Sequence, residues 1–121
     1  MPEATYLFPR GFLWGTATAA HQVEGGNTNN NWSRWEETPG KIIHGQRSGE
    51  ACGWWSGRWQ EDFQRAKDSG QNAHRLSIEW SRIQPTADTW DDAALEKYAE
   101  MLRWLVKQDM TPKVTLPHFT D

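Results

Sequence analysis

The chain has 121 residues, a formal net charge of −3 and 36% hydrophobic residues, which suits one small domain or part of a larger one. The charge is mixed in sign and shows no Lys/Arg cluster, so neither nucleic acid nor an anionic membrane is an expected partner. No apolar run approaches the roughly 20 residues of a membrane span, and the start, MPEATYLFPRGFLWG, lacks the basic and apolar regions of a signal peptide.

The first strong segment is GFLWGTATAAHQVEGG. Phe12, Leu13 and Trp14 favour a strand, and the small residues Gly15 to Ala20 predict that something large packs close to that backbone. Residues 25–54 form a long aperiodic connection rich in Asn, Gly and Trp, of the kind that is often functional. Within it, SRWE has the capping-box pattern, with Ser33 as N-cap and Glu36 three residues on.

Residues 55–69 predict a helix with Trp55, Trp59, Phe63 and Ala66 on one face and Gly70 as its stop. In NAHRLSIEW, Leu76, Ile78 and Trp80 alternate with Arg75, Ser77 and Glu79, a period of two that predicts a strand. A second helix starts at Asp91 as N-cap, with Leu95, Tyr98, Leu102, Leu105 and Val106 as its apolar stripe. Thr111-Pro112 closes it, and KVTLPHF is the third strand, with Val114 and Leu116 packed and Pro117 re-aiming His118.

The order β-α-β-α-β implies a parallel sheet, either doubly wound or part of a (β/α)8 barrel. EGGNTNNN lacks the G-x-G-x-x-G spacing of a dinucleotide fold. A sheet covered by helices on both faces would also want both faces apolar, whereas Arg75, Ser77 and Glu79 share one. A barrel interior tolerates polar groups near its C-terminal mouth, so the barrel is the expected architecture. The strand-end rule then selects Gln22, Glu24, Glu79, His118, Phe119 and Asp121. Gln and His beside an aromatic suit vicinal hydroxyls. Nine tryptophans fit sugar stacking, but composition alone favours a core built from a few large rings. The four histidines have no metal-ligand spacing. The lone Cys52 excludes an internal disulfide framework and fits a reducing cytoplasm. It has no basic neighbour in sequence to activate it.

The words FLWGTATAAHQVEGG, WSRWEE, EDFQRAKDSGQNAHRLSIEWSRIQP and MTPKVTLPHFTD resemble the N-terminal part of a glycoside hydrolase family 1 β-glycosidase. Phe12 to Gly25 match that family's F-x-W-G-x-A-x-A-A-x-Q-x-E-G signature position by position. The resemblance implies that Gln22 and His118 bind glycone hydroxyls and that Arg75 contacts the nucleophilic carboxylate. Phe119 stands where many members carry Trp; it keeps an apolar wall without the N–H donor, which leaves glucose, galactose and fucose open. Glu24 is read as a structural group bonding loop backbone, while Trp32, Trp35 and Trp80 either line the mouth or pack beneath the loop.

The family's acid/base and nucleophile lie in N-E-P and E-N-G contexts, and neither string occurs here. The resemblance gives Glu24 and Glu79 no such role, so no catalytic carboxylate is expected in this chain. A (β/α)8 barrel takes about 250 residues, so residues 1–121 are expected to be one partial domain with open edges at the first and third strands. The expected partners are a β-glucoside and a complementary chain or segment carrying the other strands and both carboxylates, with no cofactor and no metal. The expected function is the glycone-binding portion of a retaining β-glucosidase, inactive alone. The alternatives are a stand-alone sugar-binding module and an inactive fragment.

Overall fold

The computed structural model describes residues 2–120. Three parallel strands form one sheet in the order β1 (Gly15–Ala17), β2 (Ala73–Ser77), β3 (Thr111–Thr115). Gly15 pairs with Ala73, and Ala73 in turn with Thr111. Between β1 and β2 lie α1 (Ala20–Val23), α2 (Asn31–Glu36), 3-10 turns at Ile43–Gly45 and Trp54–Ser56, and α3 (Trp59–Asp68). Between β2 and β3 lie α4 (Trp80–Ile83) and α5 (Asp92–Lys107). The expected β-α-β-α-β order therefore holds, with extra short helices at the ends of β1 and β2. No helix among the described residues is long and apolar enough to cross a membrane.

Period-two geometry divides β2 into two faces. His74 and Leu76 face the helices, where Leu76 joins Trp54, Trp59, Phe63, Tyr98, Met101 and Leu105 in the core. The His74 ring lies 5.1 Å from Phe63, and Thr16 and Thr18 hydroxyls meet its two nitrogens at 3.3 and 3.1 Å. Burial lowers its pKa below the ordinary histidine value. Arg75 and Ser77 occupy the opposite face.

Several boundaries differ from expectation. Phe12, Leu13 and Trp14 precede β1, and the Phe8, Phe12 and Trp14 rings form a half-exposed cluster with centroids 4.5–4.9 Å apart. The close neighbour of Gly15 is backbone and not a large side chain: a Cβ there would sit 2.4 Å from the Ala73 carbonyl oxygen. The helix expected from residue 55 begins at Trp59, because Gly57 (φ 98°) interrupts it in the left-handed region. Trp55 turns instead onto Tyr98, with centroids 5.4 Å apart. Gly70 (φ 90°) does terminate α3, its N–H reaching the Lys67 carbonyl at 2.9 Å.

Asp91 caps α5 as expected, its carboxylate accepting the Ala94 N–H at 3.0 Å. The buried stripe is Ala94, Tyr98, Met101 and Leu105, rotated from the expected one; Leu95 and Val106 are exposed. Spacings of four, three and four residues keep that buried set on one line. Thr111 and Pro112 begin β3 and do not close the helix, which ends through Asp109 in the left-handed region (φ 58°). Pro112 fits the β2 ladder because the Thr111 N–H already bonds back to the Asn72 carbonyl at 2.8 Å, which turns the Pro112 nitrogen away from β2. Val114 and Leu116, expected to be packed, are exposed, since no described element covers that side of the edge.

α2 is capped by Asn30, not Ser33. Extended backbone at Asn30 (φ −152°) places its carboxamide oxygen on the Ser33 N–H at 2.8 Å. The aperiodic segment is pinched at its base, where Gly25 and Gly49 cross with positive φ. A Cβ on Gly49 would lie 2.2 Å from the Gly25 nitrogen, so only glycine fits there.

Candidate functional site

β1 runs into the single turn α1, whose position is set by a buried bond from the Ala20 N–H to Ser77 Oγ at 2.7 Å. That bond ties the end of β1 to the end of β2 and leaves His21 and Gln22 at the rim. His21 is fixed at both nitrogens. Asn30 already uses its oxygen to cap α2, so its amide donates to His21 Nδ1 (3.2 Å), and His21 Nε2–H donates to Glu36 Oε1 at 2.9 Å. Glu36 also accepts the Ser48 N–H and pairs with Arg47. Burial works against its charge, but the Ser48 and His21 bonds hold its carboxyl below the ordinary value.

After β3 the chain bends at Leu116, and His118 and Phe119 stack edge-on at 4.7 Å. Phe119 has φ 64°, a left-handed conformation unusual for a bulky residue. Trp32 Nε1 donates to the Phe119 carbonyl at 2.9 Å, bringing the first long connection against the loop after β3. Gln22, His21, Trp32, His118 and Phe119 thereby line one cavity of about 340 Å³. Residues predicted from three separate sequence words thus meet at one end of the sheet. Trp35 and Trp80 do not line this cavity; Trp80 lines another, of about 450 Å³, with Arg34 and Pro117. Asp121 lies outside the described residues.

Glu24 does not bond loop backbone as expected. Its Oε1 accepts Arg82 Nε at 2.7 Å and its Oε2 accepts the Tyr98 hydroxyl at 2.6 Å, both in the interior. Arg82 also donates to the Gly25 carbonyl and lies 4.0 Å over the Trp55 ring. Burial raises the Glu24 carboxyl to about 7, against the lowering effect of Tyr98 and Arg82. The same hydroxyl, held protonated by burial and by Glu24, accepts the Glu79 N–H at 3.0 Å.

β2 ends at Ser77, so Glu79 and Trp80 do not continue it. The Glu79 carboxylate is buried and accepts the Ser81 and Thr120 hydroxyls, each at 3.0 Å. Neither Glu24 nor Glu79 lines the cavity that holds Gln22 and His118. Arg75 forms no ion pair among the described residues, and its Nε is buried without a hydrogen-bond partner.

The sequence profile of glycosyl hydrolase family 1 matches residues 4–120. The chain belongs to glycosyl hydrolase family 1. Among family relatives, β-glucosidase A of Thermotoga maritima is 36% identical over 93% of this chain and 26% of its own length. The structure of a β-glycosidase from Pyrococcus horikoshii is 42% identical and superimposes with a TM-score of 0.81, covering 94% of this chain and 26% of that one. A Thermotoga maritima β-glucosidase in complex with glucoimidazole gives a TM-score of 0.84 at 35% identity, over 93% and 27% of the two chains. The chain thus spans about a quarter of the length of these family 1 proteins. Its sheet and helices are a partial (β/α)8 barrel, the N-terminal part of the family 1 fold.

The Asn30–His21–Glu36 chain, the Glu24–Arg82–Tyr98 cluster and the Thr120–Glu79 bond were missed in the sequence. The only available signals were the Asn run before WSRWEE and the charged residues inside otherwise apolar helix and strand words.

Proposed function

We propose that this chain supplies the glycone-binding part of a retaining β-glucosidase whose acid/base and nucleophilic carboxylates come from the rest of the barrel. The observation that carries this reading is the convergence of Gln22 and His118, from the ends of β1 and β3, on one aromatic-walled cavity of about 340 Å³. Gln22 offers an acceptor oxygen and a donor amide to adjacent hydroxyls, and His118 adds a ring nitrogen. Trp32 and Phe119 provide the apolar walls against which C–H faces of a pyranose pack.

Arg75 is the link to the missing chemistry. Arg75 is half-buried, but its Nε is buried without a hydrogen-bond partner among the described residues, and an unsatisfied buried donor on a charged group is costly. A carboxylate from a later strand would satisfy it. Arg75 then holds that carboxylate ionised and oriented as the nucleophile. The second carboxyl, about 5–5.5 Å away in a retaining enzyme, protonates the leaving oxygen and later activates water. The remaining strands, on another segment or a complementary chain, also cover Val114, Leu116 and the Phe8–Phe12–Trp14 cluster. A lone Cys52 fits action in the reducing cytoplasm.

The test is hydrolysis of 4-nitrophenyl β-D-glucoside by the chain assembled with the remaining strands. The assembled protein is expected to turn over, with KM raised about tenfold or more by Gln22→Ala or His118→Ala. A monomeric, cooperatively folded isolated chain with a glucosidase rate would overturn the reading, as would an assembled barrel indifferent to both substitutions.

A further inference from the structure

Glu79 is an ionisable side chain buried between the segments that follow β2 and β3, and no role in the proposed chemistry uses it. It is 2% exposed, and both carboxylate oxygens are engaged: Oε1 accepts Ser81 Oγ and Oε2 accepts Thr120 Oγ1, each at 3.0 Å. Its own N–H is bonded to the Tyr98 hydroxyl. Glu79 is therefore anchored to α5 through its backbone and to Ser81 through Oε1, while Oε2 holds Thr120, two residues beyond His118.

The backbone between them is held in a conformation that a bulky residue does not choose. Phe119 has φ 64°, and such geometry persists only where the surroundings over-determine it. Two side-chain bonds bracket it: Trp32 Nε1 to the Phe119 carbonyl at 2.9 Å, and Thr120 Oγ1 to Glu79 Oε2. The second is a hydroxyl bond to a carboxylate, the stronger kind, made by a threonine that is largely buried and sits on the cavity wall beside Phe119. Cutting it frees the segment to relax out of the left-handed region and carries His118 away from the cavity wall it shares with Gln22.

We propose that Glu79 is a positioning residue: its buried carboxylate, acting through Thr120, holds His118 in place for the sugar. The inference rests on the glycone-site reading above. Glu79 itself touches no substrate, and the pair Glu79–Thr120 acts as one unit.

The experiment uses the assembled enzyme and KM for 4-nitrophenyl β-D-glucoside, with assembly followed by gel filtration. Thr120→Val removes the hydroxyl without changing the shape, and is expected to raise KM about tenfold. Thr120→Ser restores the donor, and is expected to return KM to within about threefold of the parent. Glu79→Ala is expected to match Thr120→Val, and the double variant to be no worse than either single one. In a His118→Ala background, Thr120→Val is expected to have no further effect. Additive effects of Thr120→Val and His118→Ala would overturn the proposal, as would an unchanged KM in Thr120→Val or a Thr120→Val chain that fails to assemble. An unchanged KM in His118→Ala alone is a different failure: it removes the glycone-site reading, and the proposal with it.

Discussion

Tyr98→Phe deletes one oxygen that does two jobs in the interior. The hydroxyl accepts the Glu79 N–H and donates to Glu24 Oε2 at 2.6 Å, with Tyr98 and Glu24 exposed by 2% and 3%. Loss of the acceptor leaves a buried N–H unsatisfied, at about 1–3 kcal/mol, and loss of the donor removes a bond to a carboxylate worth about 1.5–3 kcal/mol. The second term depends on pH. Glu24 in the fold titrates near 7, against an ordinary value of 4.5, because burial outweighs its partners. The folded protein thus holds the Glu24 proton more tightly than the unfolded one. Its contribution to stability is fully present below about pH 4.5 and is lost as pH rises through about 7. The substitution removes a bond that favours the charged form, so its cost is larger where that form prevails. Urea unfolding of the assembled protein is expected to show a loss of about 2 kcal/mol at pH 5 and about 4 kcal/mol at pH 8. Equal losses at the two pH values would refute the assignment of the Tyr98 proton to Glu24.

Phe63→Ala removes a ring packed against Trp54, Trp59, Trp104 and His74. It is expected to cost about 3–5 kcal/mol in the same unfolding assay. Gly49→Ala forces a Cβ against the Gly25 nitrogen at a φ of 80°, and is expected to lower stability by more than about 1 kcal/mol; a neutral result would refute the crossing. His74 is held neutral by burial, so its contribution to stability is present above the ordinary histidine value and is lost as pH falls below it. A histidine-selective NMR titration of the assembled protein is expected to show a resonance titrating below the ordinary range, absent in His74→Gln.

The strand and helix words were legible wherever one period ran unbroken. Leu76 in β2 and Tyr98 and Leu105 in α5 are buried as their spacing demands. Departures came where a side chain chose a partner that no local pattern encodes. Ser33 looked like a cap because Glu36 stands three residues on. Asn30 takes the cap instead, and Glu36 turns to His21 and Ser48, twelve or more residues away. The rotated α5 stripe has a similar origin, since Met101 and Ala94 compete with Leu95 and Leu102 and only packing decides between them. Gln22, His118 and Phe119 were selected by their places at strand ends and by resemblance, and they do line one cavity. The buried bonds that frame that cavity, from Ser77 to Ala20 and from Glu79 to Thr120, join residues 41–57 positions apart, a range beyond any periodicity argument.

The crossing of Gly25 and Gly49 reaches beyond its own stability. Both ends of the intervening excursion are fastened to each other, and its outer stretch, residues 37–46, is almost wholly exposed. Lengthening a flexible loop adds only about 0.6 kcal/mol per doubling once its ends are joined. The tip is therefore free to drift in length and composition without disturbing Gln22 on one side or Trp54 on the other. A lineage descending from this chain has there a place to reshape the outer approach to the cavity while its floor stays the same.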